Sequence, residues 1–216
     1  GLACADFNKD GCLDIVVVSF LNPDLLIFYG GPNGFDVKHP QRIRMEKDGV
    51  LCDDSRRPFV ADFNQDGWLD IVIPQTKTHT LILWGGPKGF SMARSTFLNA
   101  SACAGSNAAD LTGNGWLDLI LGGNTGPSPN APYETSIYIY WGGPEGFRED
   151  RRAQLPAYKT NKVAVADFNN DGVLDLFANS YHSGRARDLD AYIYWGEPGG
   201  KYSAENRSRL FNHSSC

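Results

Sequence analysis

The sequence predicts an all-β protein: a β-propeller of four-stranded blades, with four blades in this chain. Three observations carry the prediction. A nine-residue pattern rich in Asp and Asn occurs four times, its copies starting 56, 48 and 57 residues apart, which is the spacing of a repeat protein. Each copy is followed by an apolar run ending in an aromatic residue and a glycine turn. No segment shows the 3.6-residue periodicity of an amphipathic helix.

The nonamers are Asp6-Phe-Asn8-Lys-Asp10-Gly11-Cys12-Leu-Asp14, Asp62-Phe-Asn64-Gln-Asp66-Gly67-Trp68-Leu-Asp70, Asp110-Leu-Thr112-Gly-Asn114-Gly115-Trp116-Leu-Asp118 and Asp167-Phe-Asn169-Asn-Asp171-Gly172-Val173-Leu-Asp175. Oxygen side chains at the first, third, fifth and ninth positions can converge on one hard cation. The sixth-position glycine permits a sharp turn, and the seventh residue (Cys12, Trp68, Trp116 or Val173) offers its carbonyl. Such a set suits Ca²⁺, which takes six to eight oxygens, better than the tighter octahedron of Mg²⁺. An EF-hand needs Glu at the twelfth position, where this chain has Val17, Ile73, Leu121 and Ala178. The competing reading is four acidic Asx-type turns without metal; four copies in register favour up to four Ca²⁺ sites. The third copy carries two formal charges against three in the others, so its site is expected to be the weakest or empty.

Each blade then reads in the same order. A short apolar strand precedes the nonamer: 1–5, 58–61, 106–109 and 162–166. A second starts at the ninth-position Asp, as in Asp14-Ile-Val-Val-Val. A third ends in an aromatic and glycine: Leu25–Gly30, Thr80–Gly85, Ile137–Gly142 and Ala191–Gly196. Runs rich in Val and Ile bounded by Gly and Asn are strands. The turn is Gly-Gly-Pro-x-Gly-Phe in three blades and Gly196-Glu-Pro-Gly-Gly-Lys-Tyr202 in the fourth. A more polar fourth strand follows, for example Phe147–Leu155. The blades are expected at about 1–45, 58–98, 105–155 and 162–211, in one propeller region over 1–216.

Bulk composition agrees. Hydrophobic residues at 42% exclude a disordered chain, and no apolar run is long enough to span a membrane. Eleven of the 25 acids lie in the nonamers, which leaves a mildly basic remainder, too scattered to argue for nucleic acid. Cys4, Cys12, Cys52, Cys103 and Cys216 show no zinc spacing. Cys4 and Cys12 fall in apolar runs and read as buried; the other three fall in loop-like segments, where a disulfide or an exposed thiol is expected. No signal peptide is present, and Gly1 in place of Met reads as a start within a longer protein.

The pairing of DxNxDGxxD with a following YWGGPxGF resembles the FG-GAP/VCBS-type repeat of calcium-binding β-propellers, the blades of integrin α-subunit heads. The resemblance covers essentially the whole chain. It implies a calcium-binding fold used in adhesion, lectin and enzyme-accessory domains, without fixing one chemistry. Such propellers usually close with seven blades, within a range of about four to eight. The readings are therefore a fragment of a longer ring, a closed four-blade ring, or self-association of two chains into one eight-blade ring. The fragment is favoured because unpaired blade faces expose core.

Functional residues are expected on the rim opposite the nonamers, where loop length varies most. Tyr181, His182, Arg185 and Arg187 form the candidate contact patch, with Arg56 and Arg57 nearby on the 45–57 linker. Arg forks suit carboxylates and sulfates, and an aromatic face stacks on a sugar. Tyr29, Trp84, Trp141 and Trp195 recur once per blade and read as packing residues, whereas Trp68 and Trp116 read as more exposed. Neither GxSxG, HExxH nor a P-loop occurs, which argues against an enzyme. The alternative is the propeller of a polysaccharide lyase or hydrolase, with His79, or His182 with Arg185, acting on an anionic sugar. The expected protein is thus a secreted, cell-surface or periplasmic module that binds a glycan or an extracellular protein.

Overall fold

A computed structural model of the chain describes residues 1–126, 133–181 and 189–211. Among these residues the chain is all-β apart from one short 3₁₀ turn, and it divides into two compact units, Gly1–Asn99 and Ala100–Cys216. Each unit holds two four-stranded antiparallel sheets in which consecutive strands are neighbours. In the first unit, β1 (Leu2–Ala5), β2 (Asp14–Ser19), β3 (Asn22–Phe28) and β4 (Gln41–Arg44) form one sheet. A two-stranded ribbon, β5 (Glu46–Lys47) and β6 (Val50–Leu51), leads to the second sheet, β7 (Phe59–Ala61), β8 (Asp70–Ile73), β9 (Thr80–Leu83) and β10 (Ser95–Leu98). The second unit has β11 (Ala102–Ala109), β12 (Asp118–Gly123), β13 (Glu134–Tyr140) and β14 (Arg152–Tyr158), then β15 (Val163–Ala166), β16 (Asp175–Ala178), β17 (Ala191–Tyr194) and β18 (Arg207–Leu210).

Strand chemistry explains the layering. In β2 the side chains of Val16 and Val18 are fully buried while Ile15 and Val17 are half-buried, the two-residue alternation of a strand with one well-covered face. All four residues of β8 and of β9 are buried, as in a sheet covered on both sides. Leu25, Ile27 and Met45 of the first sheet's segment pack in one core with Ile71, Leu81 and Leu83 of the second. A separate core in the second unit joins Ile137, Ile139 and Leu155 to Leu176 and Tyr194.

Several boundaries differ from the sequence reading. The third sheet's first strand starts at Ala102, with a register shift between Ala102 and Ser106 that the pattern does not signal. Its fourth strand runs 152–158 rather than 147–155, because Phe147 is buried beside Tyr140 in the preceding turn. The 45–57 linker is partly core: Met45 and Cys52 are fully buried and the Cys52 amide donates to the Met45 carbonyl. Cys52 is therefore neither an exposed nor a disulfide-bonded thiol, and burial pushes it up to about 11. Cys4, expected inside, is exposed because it alternates with Ala3 and Ala5 onto the open face of β1, and Cys12 is half-buried. The side chain of Cys103, and Cys216 as a whole, lie outside the described residues.

The glycine after each third strand is a close-approach position. A Cβ on Gly85 would sit 2.0 Å from the Leu69 carbonyl oxygen, and on Gly30, Gly142 and Gly196 it would meet Leu13, Leu117 and Leu174 at 2.2, 2.2 and 2.3 Å. Gly85→Ala is expected to cost about 3 kcal/mol by forcing two backbones apart. Gly34→Ala, at φ +88° in open space, is expected to cost only about 1 kcal/mol. Equal losses in denaturant titrations of the two variants would contradict this reading.

Candidate metal loops and the opposite rim

Each nonamer is the hairpin loop between the first and second strands of its sheet, and all four are folded alike. The loop needs two left-handed residues. The sixth-position glycines Gly11, Gly67, Gly115 and Gly172 have φ between 83° and 87°. The fourth position is left-handed too, at Lys9, Gln65, Gly113 and Asn170. Its glycine in the third loop and Asn in the fourth are the only sequence signals of that conformation, so it escaped sequence reasoning.

Side-chain oxygens hold this shape by accepting backbone N–H groups. In the first loop Asp6 Oδ1 and Oδ2 accept from Asp10 and Gly11 at 3.1 and 2.9 Å, Asn8 Oδ1 from Asp10 at 3.0 Å, and Asp10 Oδ1 from Cys12 at 2.8 Å. The fourth loop repeats the pattern through Asp167, Asn169 and Asp171. The third keeps it at Asp110 and Asn114, with the Thr112 hydroxyl on Asp110 at 3.4 Å. In the second, Asp62 Oδ2 accepts from Gly67, Asn64 Oδ1 from Asp66 and Asp66 Oδ1 from Trp68. There Asp62 Oδ1 is buried without a hydrogen-bond partner.

The ninth residue does different work. Asp14, Asp70, Asp118 and Asp175 are all fully buried. One oxygen of each accepts the second-position amide of its loop: Phe7, Phe63, Leu111 or Phe168 at 2.8, 2.9, 2.9 and 2.8 Å. The other accepts the amide of the close-approach glycine after the third strand: Gly30, Gly85, Gly142 or Gly196 at 2.8, 2.9, 2.7 and 2.8 Å. This carboxylate locks the loop to the end of the third strand in every sheet. Burial pushes the Asp70 carboxyl up to about 6 against those two donors, with Asp66 and Asp62 adding in the same direction; burial likewise raises Asp118.

Among the described residues no three His, Cys, Asp or Glu groups converge at metal-holding distance. The donor set nevertheless has the chemistry for a hard cation. It consists of carboxylate and amide oxygens with spare lone pairs, and the second loop contains a buried carboxylate oxygen with no donor facing it. Trp68 and Trp116, expected to be more exposed, are half-buried; Lys9 lies over the Trp68 ring, 4.2 Å from its centroid.

At the opposite end of the first unit, the β2–β3 turn, the 52–57 linker and the β8–β9 loop meet. Phe20 bridges Asp54, and Ser55 bridges Gln75. Asp54 is fully buried, accepts the Thr76 hydroxyl, and has Arg56 Nη2 3.2 Å from its other oxygen. Arg57 is exposed. Tyr181 is half-buried in the β16–β17 loop, its amide on the Tyr158 carbonyl at 3.1 Å. His182, Arg185 and Arg187 lie outside the described residues. His79 is half-buried beside Phe97, with Nδ1 buried and unpartnered. Trp84 and Trp195 are tied by their indole N–H to Thr96 and Ser208 at 2.9 Å, and Tyr29 to Gln41 at 2.7 Å, as expected of packing residues.

A repeated four-stranded meander with an acidic first hairpin and a glycine-locked third strand defines a β-propeller built from sequence repeats. Residues 6–73, 62–121 and 110–178 match the FG-GAP-like repeat, so all four nonamers are included and the chain belongs to that family. A solved structure described as the basis of specific recognition of non-reducing terminal N-acetylglucosamine by an Agrocybe aegerita lectin shares the fold, with a TM-score of 0.54 at 19% identity over 94% of this chain. The chain spans 50% of that structure's chain. No curated protein matches the sequence.

Proposed function

We propose that this chain is a calcium-stabilised recognition module that works outside the cell and binds a glycan on the rim opposite the nonamer loops. The observation that carries the reading is the division of labour between the two ends of the sheets. At one end the polar side chains fold their own loops. At the other, the first unit gathers aromatic, basic and buried acidic groups in Phe20, Arg56 and Asp54. Asp6, Asn8 and Asp10, with the Cys12 carbonyl, would hold the first ion, and their counterparts the rest. Calcium would supply positive charge to loops lined by acidic side chains, and millimolar extracellular concentrations suit such loops. The lectin likeness supports a glycan as the partner.

A glycan array probed in calcium-containing buffer tests this. Binding to a defined saccharide class is expected to survive Asp66→Ala below its melting temperature. An array without retained signal, or binding lost in that variant while it remains folded, would overturn the reading.

A further inference from the structure

Within the first unit, the two-residue turn between β2 and β3 has an unusual composition. Phe20 and Leu21 occupy the tip between the paired Ser19 and Asn22, and they are 50% and 67% exposed. Leu21 has φ +60°, a conformation that favours Gly or Asn at such a turn. Its amide donates to the Asp53 carbonyl at 2.7 Å, which holds the strained residue in place. Folding gains little from two exposed apolar side chains, one of them, Leu21, on a left-handed backbone, and strain of this kind collects at binding sites.

The surroundings supply charge. The Arg56 guanidinium carbon lies 4.6 Å from the Phe20 ring centroid and the Lys77 ammonium 5.5 Å from it. Arg56 spends Nη2 on Thr76 and Asp54; among the described residues its Nε and Nη1 meet no acceptor, and Lys77 and Arg57 pair with no acid. Against these three cations stand the half-exposed Asp53 and the buried Asp54, which Arg56 already faces. An exposed aromatic ring with Lys77 and the partly committed Arg56 over it, and Arg57 nearby on the linker, suits a ligand with an apolar ring face and a carboxylate.

We propose that Phe20, Arg56, Arg57 and Lys77 form a subsite for an acidic saccharide, a uronate whose ring lies on Phe20 and whose carboxylate meets the cations. The proposal rests on the glycan reading above and names its substrate class and place. Titration calorimetry of the full chain with a hyaluronan oligosaccharide and with a chitin oligosaccharide of equal length tests it. Both carry N-acetylglucosamine, and the first adds uronates. Preferential binding of hyaluronan is expected, weakened at least roughly tenfold by Lys77→Glu or Arg57→Glu, as for a lost charged hydrogen bond. Phe20→Ala should weaken it comparably and Phe20→Tyr should restore it, with melting temperatures checking that each variant folds. Equal affinity for the two oligosaccharides, or hyaluronan binding indifferent to these substitutions, overturns the subsite while leaving glycan recognition intact. Binding of an acidic peptide such as oligoglutamate at the same residues, with no saccharide bound, overturns the saccharide assignment. Failure of every glycan overturns both readings.

Discussion

Asp70→Ala is expected to destabilise the calcium-free chain by about 3–5 kcal/mol, because it strips the acceptor from two buried amides, each costing about 1–3 kcal/mol when left unpaired, and both bonds are charge-assisted. Those amides belong to Phe63 and Gly85, so one substitution unties the loop from its sheet at both ends. For a chain of this size the melting temperature falls about 2–4 °C per kcal/mol, a drop of roughly ten degrees. Asp66→Ala, four residues earlier and exposed, should leave the calcium-free melting temperature nearly unchanged, since water can replace it at the Trp68 amide. Denaturant and thermal melts of the two variants in chelator separate a structural anchor from a loop-lining group. If they fell together, the ninth-position carboxylate would not hold the role assigned to it.

The second large effect is the response to calcium. A site held a hundredfold above its dissociation constant contributes about 2.7 kcal/mol, so several occupied loops should raise the melting temperature by many degrees over the chelated chain. The third loop, with Asn114 where the others carry Asp, should contribute least, and Asn114→Asp should raise its affinity. Asp66→Ala, neutral in chelator, should now lose much of the second loop's increment. Melting curves that overlay with and without millimolar calcium would count against metal stabilisation.

Much of the fold was legible because the repeat unit writes its chemistry locally. The apolar runs, the aromatic-glycine turn and the sixth-position glycine each answer a backbone demand made within a few residues. What stayed hidden depends on distant partners. An Asp that folds its own loop and an Asp that buries itself against two distant amides look alike in sequence. Only the fold shows that Asp14, Asp70, Asp118 and Asp175 reach Gly30, Gly85, Gly142 and Gly196. The linker read as a polar loop because Asp53, Asp54, Arg56 and Arg57 dominate it, yet tertiary packing buries Cys52, Asp54 and Ser55. The sequence points to Arg56 but not to Phe20 or Lys77, because the turn that leaves Phe20 exposed has Leu21 at its left-handed position, with no Gly or Asn there to mark it.

If the nonamers clasp divalent ions as proposed, Trp68 and Trp116 at their seventh positions provide a built-in reporter. Terbium luminescence excited through tryptophan tests this proposal most directly. Sensitised emission is expected on adding Tb³⁺ to the calcium-free chain, reduced in Asp66→Ala and displaced by millimolar Ca²⁺. Absent emission, or emission untouched by both calcium and the substitution, would contradict the account.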